Sequence, residues 1–280
     1  MNMGREGRRG RFALRYDPLR VFTGSRSPEG LYARQKWGSE AATGLWRQDF
    51  HEAVSSLLRG QSADGSWGNG TQETIRRLFG LHLTVRDFTA EVARALDWLI
   101  GTTLCGEHVS GAGDVGMTPE SIWRGLPFTP GDQRFCEVCA TLFLAVVFDR
   151  SDDADVAANF NLLLRRVLEE PESLKSWKDK NNALRALIVH PRYSEGAAAS
   201  FLIDQLNQVQ ESSGAWSIPV PASHLLNILG HSRFQSADRQ WTKAFRMVCE
   251  TQNQDGSWGQ NDTEWHTFLI VHALKKRECL

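Results

Sequence analysis

The chain has 280 residues, of which 41% are hydrophobic and 23% charged, and a formal net charge of -1. This composition suits a soluble globular protein with one large core or two small ones. The near-zero charge excludes strong electrostatic attraction to nucleic acid or to an anionic membrane, and no apolar run approaches the ~18 residues that a membrane span needs.

Residues 1–43 are rich in Arg, Gly, Ser and Pro and lack sustained periodicity. They read as an N-terminal arm, with a short ordered piece around Leu31 to Trp37. Arg5, Arg8, Arg9 and Arg11 form a solvated basic tip or, in a sharper reading, a contact for phosphate or a peripheral membrane surface. The aromatics Phe12, Tyr16, Phe22, Tyr32 and Trp37 predict that the arm packs on the remainder and is placed to complete it.

Residues 44–280 read as about five helical hairpins with no strand. Phe50, Ala53, Val54, Leu57 and Leu58 recur at helical spacing, and the Asp-Gly that follows disfavours continuation. A partner helix starts near Thr71, with Thr71 or Thr74 as its expected cap. The second pair joins a helix from about Asp87 to one from about Phe135 to Phe148. Between them, residues 102–134 form a long irregular connection containing His108, Asp114, Glu120, Trp123 and Arg124, readable as a lid or as a variable insertion. The third pair joins Asp153–Glu169 to Lys178–Val189. The fourth joins Tyr193–Glu211 to Ala222–Gly230, and the fifth Ala237–Thr251 to Asp262–Lys275.

One phrase recurs at the hairpin turns. Gln61 to Trp67 reads QSADGSW, Gln252 to Trp258 reads QNQDGSW, and Gln210 to Trp216 reads QESSGAW. Trp177, Trp216 and Trp258 recur at a spacing of about 40 residues, a period suited to one helical pair per repeat. The five cysteines, an odd number with no secretory pattern after the first arginines, predict free thiols in a reducing cytoplasm.

Aligned on these turns, the preceding helices share a longer pattern. Lys243-Ala244, Met247-Val248, Gln252, Gly256 and Trp258 form one copy, and Ala53, Leu57, Gln61, Gly65 and Trp67 another. Arg94-Ala95 and Trp98-Leu99 form a third, in which Thr103 and His108 replace Gln and Trp. The pattern resembles the QW repeat of squalene–hopene and oxidosqualene cyclases, in the superfamily of class II diterpene cyclases and protein prenyltransferase β-subunits. The resemblance covers about residues 45 to 280. It implies an all-α fold, an α/α toroid whose inner helices surround an apolar cavity. Its Gln and Trp residues would be fastenings, since a Gln amide can satisfy orphan backbone groups at helix ends.

The resemblance also implies where chemistry would sit. Cyclases of this kind protonate their substrate from a DxDD aspartate, which needs an acid kept protonated and aimed into a dry cavity. Here Asp152, Asp153 and Asp155 put Ala154 in the donor's place, and the segment also reads as the acidic start of a helix. Prenyltransferases hold zinc through D-x-C and a distant His. Glu137-x-Cys139 and the Asp262–His266 stretch resemble those segments, but stand about three repeats apart, so zinc remains a cofactor alternative and no metal ligands are assigned. The catalytic candidates are Glu137, Asp262 and His266. Glu73, Cys139, Lys178, His224 and Trp265 are the substrate-binding candidates, all near inner-helix starts.

The expected function is an isoprenoid-processing enzyme of terpene cyclase or prenyltransferase type, binding an apolar isoprenoid-like molecule. The alternative is a non-catalytic toroid that binds a lipid, a peptide or a protein partner. Nucleic acid is not an expected partner.

Overall fold

The computed structural model describes residues 13–41, 43–68, 70–105 and 123–280. Arg5, Arg8, Arg9, Arg11, Phe12, His108, Asp114 and Glu120 lie outside the described residues. The described chain is helical: α1 (Pro28–Lys36), α2 (Gly44–Leu58), α3 (Thr71–Thr84), α4 (Ala90–Thr103), α5 (Gln133–Val147), α6 (Ala154–Leu168), α7 (Trp177–Val189), α8 (Ala197–Gln208), α9 (Ala222–His231), α10 (Gln235–Glu250) and α11 (Thr263–Lys276). Short 3-10 turns cover Pro18–Phe22 and Pro171–Ser173. Among the described residues there are no strands, only isolated bridges across two of the turns. No helix among them is long and apolar enough to cross a membrane.

The odd-numbered helices form an inner ring. Each packs on the next, α1 on α3, then α5, α7, α9 and α11, and α11 returns to α1. The even-numbered helices lie outside: α2 on α1 and α3, α4 on α3 and α5, α6 on α5, α8 on α7, and α10 on α9. This is an α/α toroid. All five expected hairpins are present, and the stretch before residue 44 supplies the sixth inner helix.

Inner helices are covered on several sides, so they are apolar nearly all round. In α5, eleven of the residues from Phe135 to Val146 are buried. Outer helices carry one apolar stripe; α10 buries Ala237, Trp241, Ala244 and Val248 at helical spacing and turns Arg239, Lys243 and Arg246 outward. Side chains cap many of the helices, among them Thr43 for α2, Thr89 for α4, Asp132 for α5, Asp153 for α6 and Ser176 for α7.

The repeated turns fasten this array. Gln61 donates to the carbonyls of Gly65 (3.0 Å) and Glu91 (2.8 Å), and Gln210 does the same to Gly214 (3.1 Å) and Gln240 (2.9 Å). Each turn thus clasps the start of the next outer helix. Gln252, in the third of these turns, grips Arg15 and Tyr16 of the N-terminal segment instead. The ring is closed by the N-terminal segment.

The expected caps of α3 need correction. Gly70 occupies the cap position without a side-chain bond, and Thr74 donates back to the Gly70 carbonyl while accepting from the Trp67 N–H at 3.2 Å. Thr267 repeats the device, accepting from the Trp258 N–H at 3.1 Å. A threonine one turn inside the helix ties down the tryptophan.

Candidate functional site

The inner helices bring the predicted polar residues to one end of the ring, at their N-terminal turns. Asp262 sits at the start of α11 in a left-handed conformation (φ 50°) and forms an ion pair with Arg124. One turn on, His266 Nδ1 lies 2.7 Å from Ser223 Oγ on α9. Burial holds the His266 imidazole below its usual range, partly offset by the Asp262 charge. His224 is close by, its ring centroid 6.2 Å from that of His266, and burial keeps it far below its ordinary value. Asp262, His266 and His224 therefore do come together, with Trp265 beside them on α11.

Glu137, on α5, accepts from Gln72 of α3 (3.3 Å) and from Gln133 (3.1 Å), and burial raises its pKa. Glu73 turns to the outside, paired with Arg77 at 2.7 Å and Arg76 at 3.7 Å. Lys178, in the first turn of α7, is half-buried beside Gly131. Cys139 is wholly buried, its thiol pushed far above the usual range by desolvation. It packs as a small core residue. Among the described residues no group of three His, Cys, Asp or Glu side chains is arranged to hold a metal ion. Asp153 is the cap of outer helix α6 and pairs with Arg150 at 2.9 Å, so the Asp152–Asp155 cluster is a helix start.

The structure adds an acid that the sequence did not announce. Glu29, in the first turn of α1, faces Glu264 and Asp262 of α11. Burial, helped by those two carboxylates, lifts its pKa to about 7. Glu264 itself accepts from Ser25 Oγ (2.5 Å) and Ser27 Oγ (2.6 Å). Nothing in the local sequence marks Glu29; its surroundings arise from contact between the first and last inner helices.

Below this mouth the ring interior has two unlike walls. One is aromatic. Phe79 (α3) lies 6.0 Å from Phe143 (α5) and 5.9 Å from Trp265 (α11), Trp265 stacks on Phe268 at 5.5 Å, and Tyr32 (α1) meets Phe268 at 5.4 Å. Phe128, from the connection before α5, joins Phe143 at 5.6 Å. Phe79 and Phe143 keep 6% exposure and Trp265 and Phe268 keep 4%, whereas Leu78, Leu142 and Leu274 on the same helices keep none. The other wall, on α7 and α9, is polar and carries Arg185, Asn227 and His231. A cavity of about 740 Å³ lies along the closing seam, but Arg15, Asp17, Arg20, Asp255 and Glu264 line it, an unsuitable surface for an apolar chain.

No family model matches the chain. Two curated proteins share a limited segment with it: an uncharacterised protein of Sinorhizobium fredii, 32% identical over a 101-residue alignment, and one of Bradyrhizobium diazoefficiens, 34% identical over the same length. Each alignment takes in 27% of this chain and 19% of the relative, so the match spans about a fifth of those proteins. Similar solved structures cover far more. A protein from Actinoplanes superposes with a TM-score of 0.57 at 14% identity, over 93% of this chain and 89% of that one. The type II terpene cyclase MstE from Scytonema, in complex with its substrate geranylgeranyl dihydroxybenzoate, superposes with a TM-score of 0.57 at 10% identity. That superposition covers 94% of this chain and 88% of the cyclase. A second variant of MstE gives 0.55 at 11% identity. The chain therefore has a terpene cyclase-like α/α-toroid fold.

Proposed function

We propose that this protein is an isoprenoid-processing enzyme of terpene cyclase type, which binds an apolar polyprenyl chain against the aromatic wall and starts its reaction with a proton. The observation that carries this reading is the continuous run of aromatic rings across the inner helices, from Phe143 and Phe79 through Trp265 and Phe268 to Tyr32, with Glu29, whose pKa burial raises to about 7, one turn from Tyr32 on α1. Aromatic faces attract cations, so such a wall would stabilise the carbocations of a cyclisation. The prenylated substrate of MstE supports the same choice of ligand.

In this mechanism Glu29 is the acid. Its O–H bond breaks as a new bond forms to the proton at a terminal alkene carbon or an epoxide oxygen. The resulting cation closes on the next double bond, and the final cation loses a proton to water, from which the Glu29 carboxylate is reprotonated. Asp262 and Glu264 act by keeping Glu29 protonated, and Glu137 and His266 furnish the remaining polar rim. The test is incubation with squalene, oxidosqualene and geranylgeranyl diphosphate, with product analysis by mass spectrometry. A cyclic product that Glu29→Gln abolishes supports the reading. Absence of product together with absence of any binding of geranylgeraniol overturns it.

A further inference from the structure

Arg185 is a buried cation without a counter-ion. It is 3% exposed, on inner helix α7, and reaches across to α9. One terminal nitrogen donates to Asn227 Oδ1 at 2.5 Å and the other to the His224 carbonyl at 2.9 Å. Among the described residues no carboxylate pairs with it, and burial alone moves its pKa, down to about 9, so it stays charged at neutral pH. Its Nε has no partner, and neither does Nδ1 of His224, whose carbonyl the same guanidinium holds. Burying an unpaired guanidinium costs several kcal/mol, and orphaned polar atoms gathered in one place point to a group that completes them.

The surroundings say what that group is. Asn227 Nδ2 lies 3.3 Å from His272 Nδ1, and His231 Nε2 lies 3.2 Å from the same atom. Arg86, at the end of α3, stacks over Tyr32 with its guanidinium carbon 4.3 Å from the ring centroid, and its Nη2 is also unpartnered. Burial keeps His272 largely uncharged near neutral pH, with further contributions from the charges of Lys276, Arg185, His82 and Arg86. A cavity of about 250 Å³ at the C-terminal ends of α7 and α9 has His231 of this cluster in its lining, beside Ile188, Pro191, Ser194 and the Glu195–Arg233 ion pair, with Ile188 one turn from Arg185 and His231 one turn from Asn227. His272 also touches the aromatic wall, 5.8 Å from Phe268 and 5.9 Å from Tyr32.

We propose that Arg185, with Asn227, His231, His272 and Arg86, forms an internal oxyanion site that takes the phosphate or carboxylate head group of an amphiphilic ligand whose chain lies on the aromatic wall. Only the chain-binding half rests on the isoprenoid reading. The oxyanion half stands on the unpaired arginines, and free phosphate groups share its chemistry.

Titration calorimetry with geranylgeranyl diphosphate, geranylgeraniol and inorganic pyrophosphate separates these parts. Geranylgeranyl diphosphate is expected to bind the wild type at least tenfold more tightly than geranylgeraniol, and pyrophosphate is expected to bind measurably and to compete with it. Arg185→Gln should erase the preference while keeping the affinity for geranylgeraniol. Should that variant not fold, Asn227→Asp, which sets a carboxylate against Arg185, and Arg86→Gln carry the test, and both should weaken pyrophosphate binding at least tenfold. Equal binding of the diphosphate and the alcohol, or folded Asn227→Asp retaining the wild-type response to pyrophosphate, overturns the site. Pyrophosphate binding without geranylgeraniol binding keeps the oxyanion site and removes the isoprenoid reading.

Discussion

Gln252 holds Tyr16 from both sides: its carboxamide oxygen accepts from the Tyr16 N–H at 3.1 Å, and its nitrogen donates to the Tyr16 carbonyl at 2.9 Å. The same oxygen takes the Arg15 N–H at 2.9 Å, and the same nitrogen gives to Gly256 at 3.1 Å. This one side chain fastens the end of the ring to its beginning. Gln252→Ala is expected to lower stability by about 1–3 kcal/mol, since it unpairs the part-buried backbone groups of Arg15 and Tyr16 and the buried Gly256 carbonyl. Urea denaturation measures it, and a loss below that of an exposed control such as Gln48→Ala would contradict the ring-closing role.

The turns were legible in the sequence because they are local. Gln, Gly and Trp at fixed spacing carry their own geometry, and the five hairpins follow from phasing the apolar residues on them. Helix α1 was legible only as a short ordered piece. Its nine residues bury Leu31, Ala33 and Arg34 and turn Tyr32 to the interior, so no single apolar stripe marks it. Glu29 and Arg185 were missed for another reason. Glu29 becomes an acid through α11, at the other end of the chain, and Arg185 follows the polar run Lys178 to Asn182, which reads as a solvated helix start. A signal did exist for the second: Asn181, Arg185, Asn227, His231 and His272 are polar residues at positions where an inner helix ought to be apolar.

Gly214 has φ +91°, and a Cβ there would meet the Lys243 carbonyl and the Ala244 backbone of α10; Gly65 repeats this against Arg94 and Ala95 of α4. The turn can clasp the next outer helix only without a side chain. Gly214→Ala is expected to cost about 3 kcal/mol or more, from left-handed strain and displaced backbone. Gly101, inside α4, has open space around it, so Gly101→Ala is expected to stabilise by about 0.5–1 kcal/mol. Thermal unfolding of the two variants should move in opposite directions.

Arg34 and Asp49 form an ion pair at 2.8 Å with both side chains 2% exposed, and Arg34 also holds Glu40 and the Ser25 carbonyl. The pair anchors α1 to α2 and so keeps α1 in the inner ring. Asp49→Ala leaves Arg34 with Glu40 and the Ser25 carbonyl but removes a buried charged hydrogen bond, so it is expected to cost about 1.5–3 kcal/mol. Replacing both with a packed apolar pair should cost less than that single change. A double-mutant cycle followed by denaturant unfolding reads the difference, and additive single losses would show that the two charges do not interact.

The pH dependence of stability sets the raised carboxyls Glu29 and Glu137 against the buried histidines, among them His82, His231 and His272 beside His190, His224 and His266. Glu29 has its pKa raised from 4.5 to about 7, so the native state binds more protons between those values; its contribution is full below 4.5 and lost as pH rises through 7. His82 and His272 are lowered from 6.5 to about 4, and His231 to about 3, each first by burial and then by neighbouring charge. For these the unfolded chain binds more protons, so their contribution is full above 6.5 and lost as pH falls through those lower values. Discounted for partial exposure, Glu29, His82, His231 and His272 are each worth roughly 2 kcal/mol, and the buried histidines outweigh the raised carboxyls. Stability is therefore expected to be highest near pH 7 and to drop on acidification toward pH 4. His231→Asn should flatten that acid limb, while Glu29→Gln should stabilise by about 2 kcal/mol at pH 8 and have little effect at pH 4. Urea midpoints across this range decide it. A His231→Asn variant with the full wild-type acid loss would mean that the buried histidines are not what acid attacks.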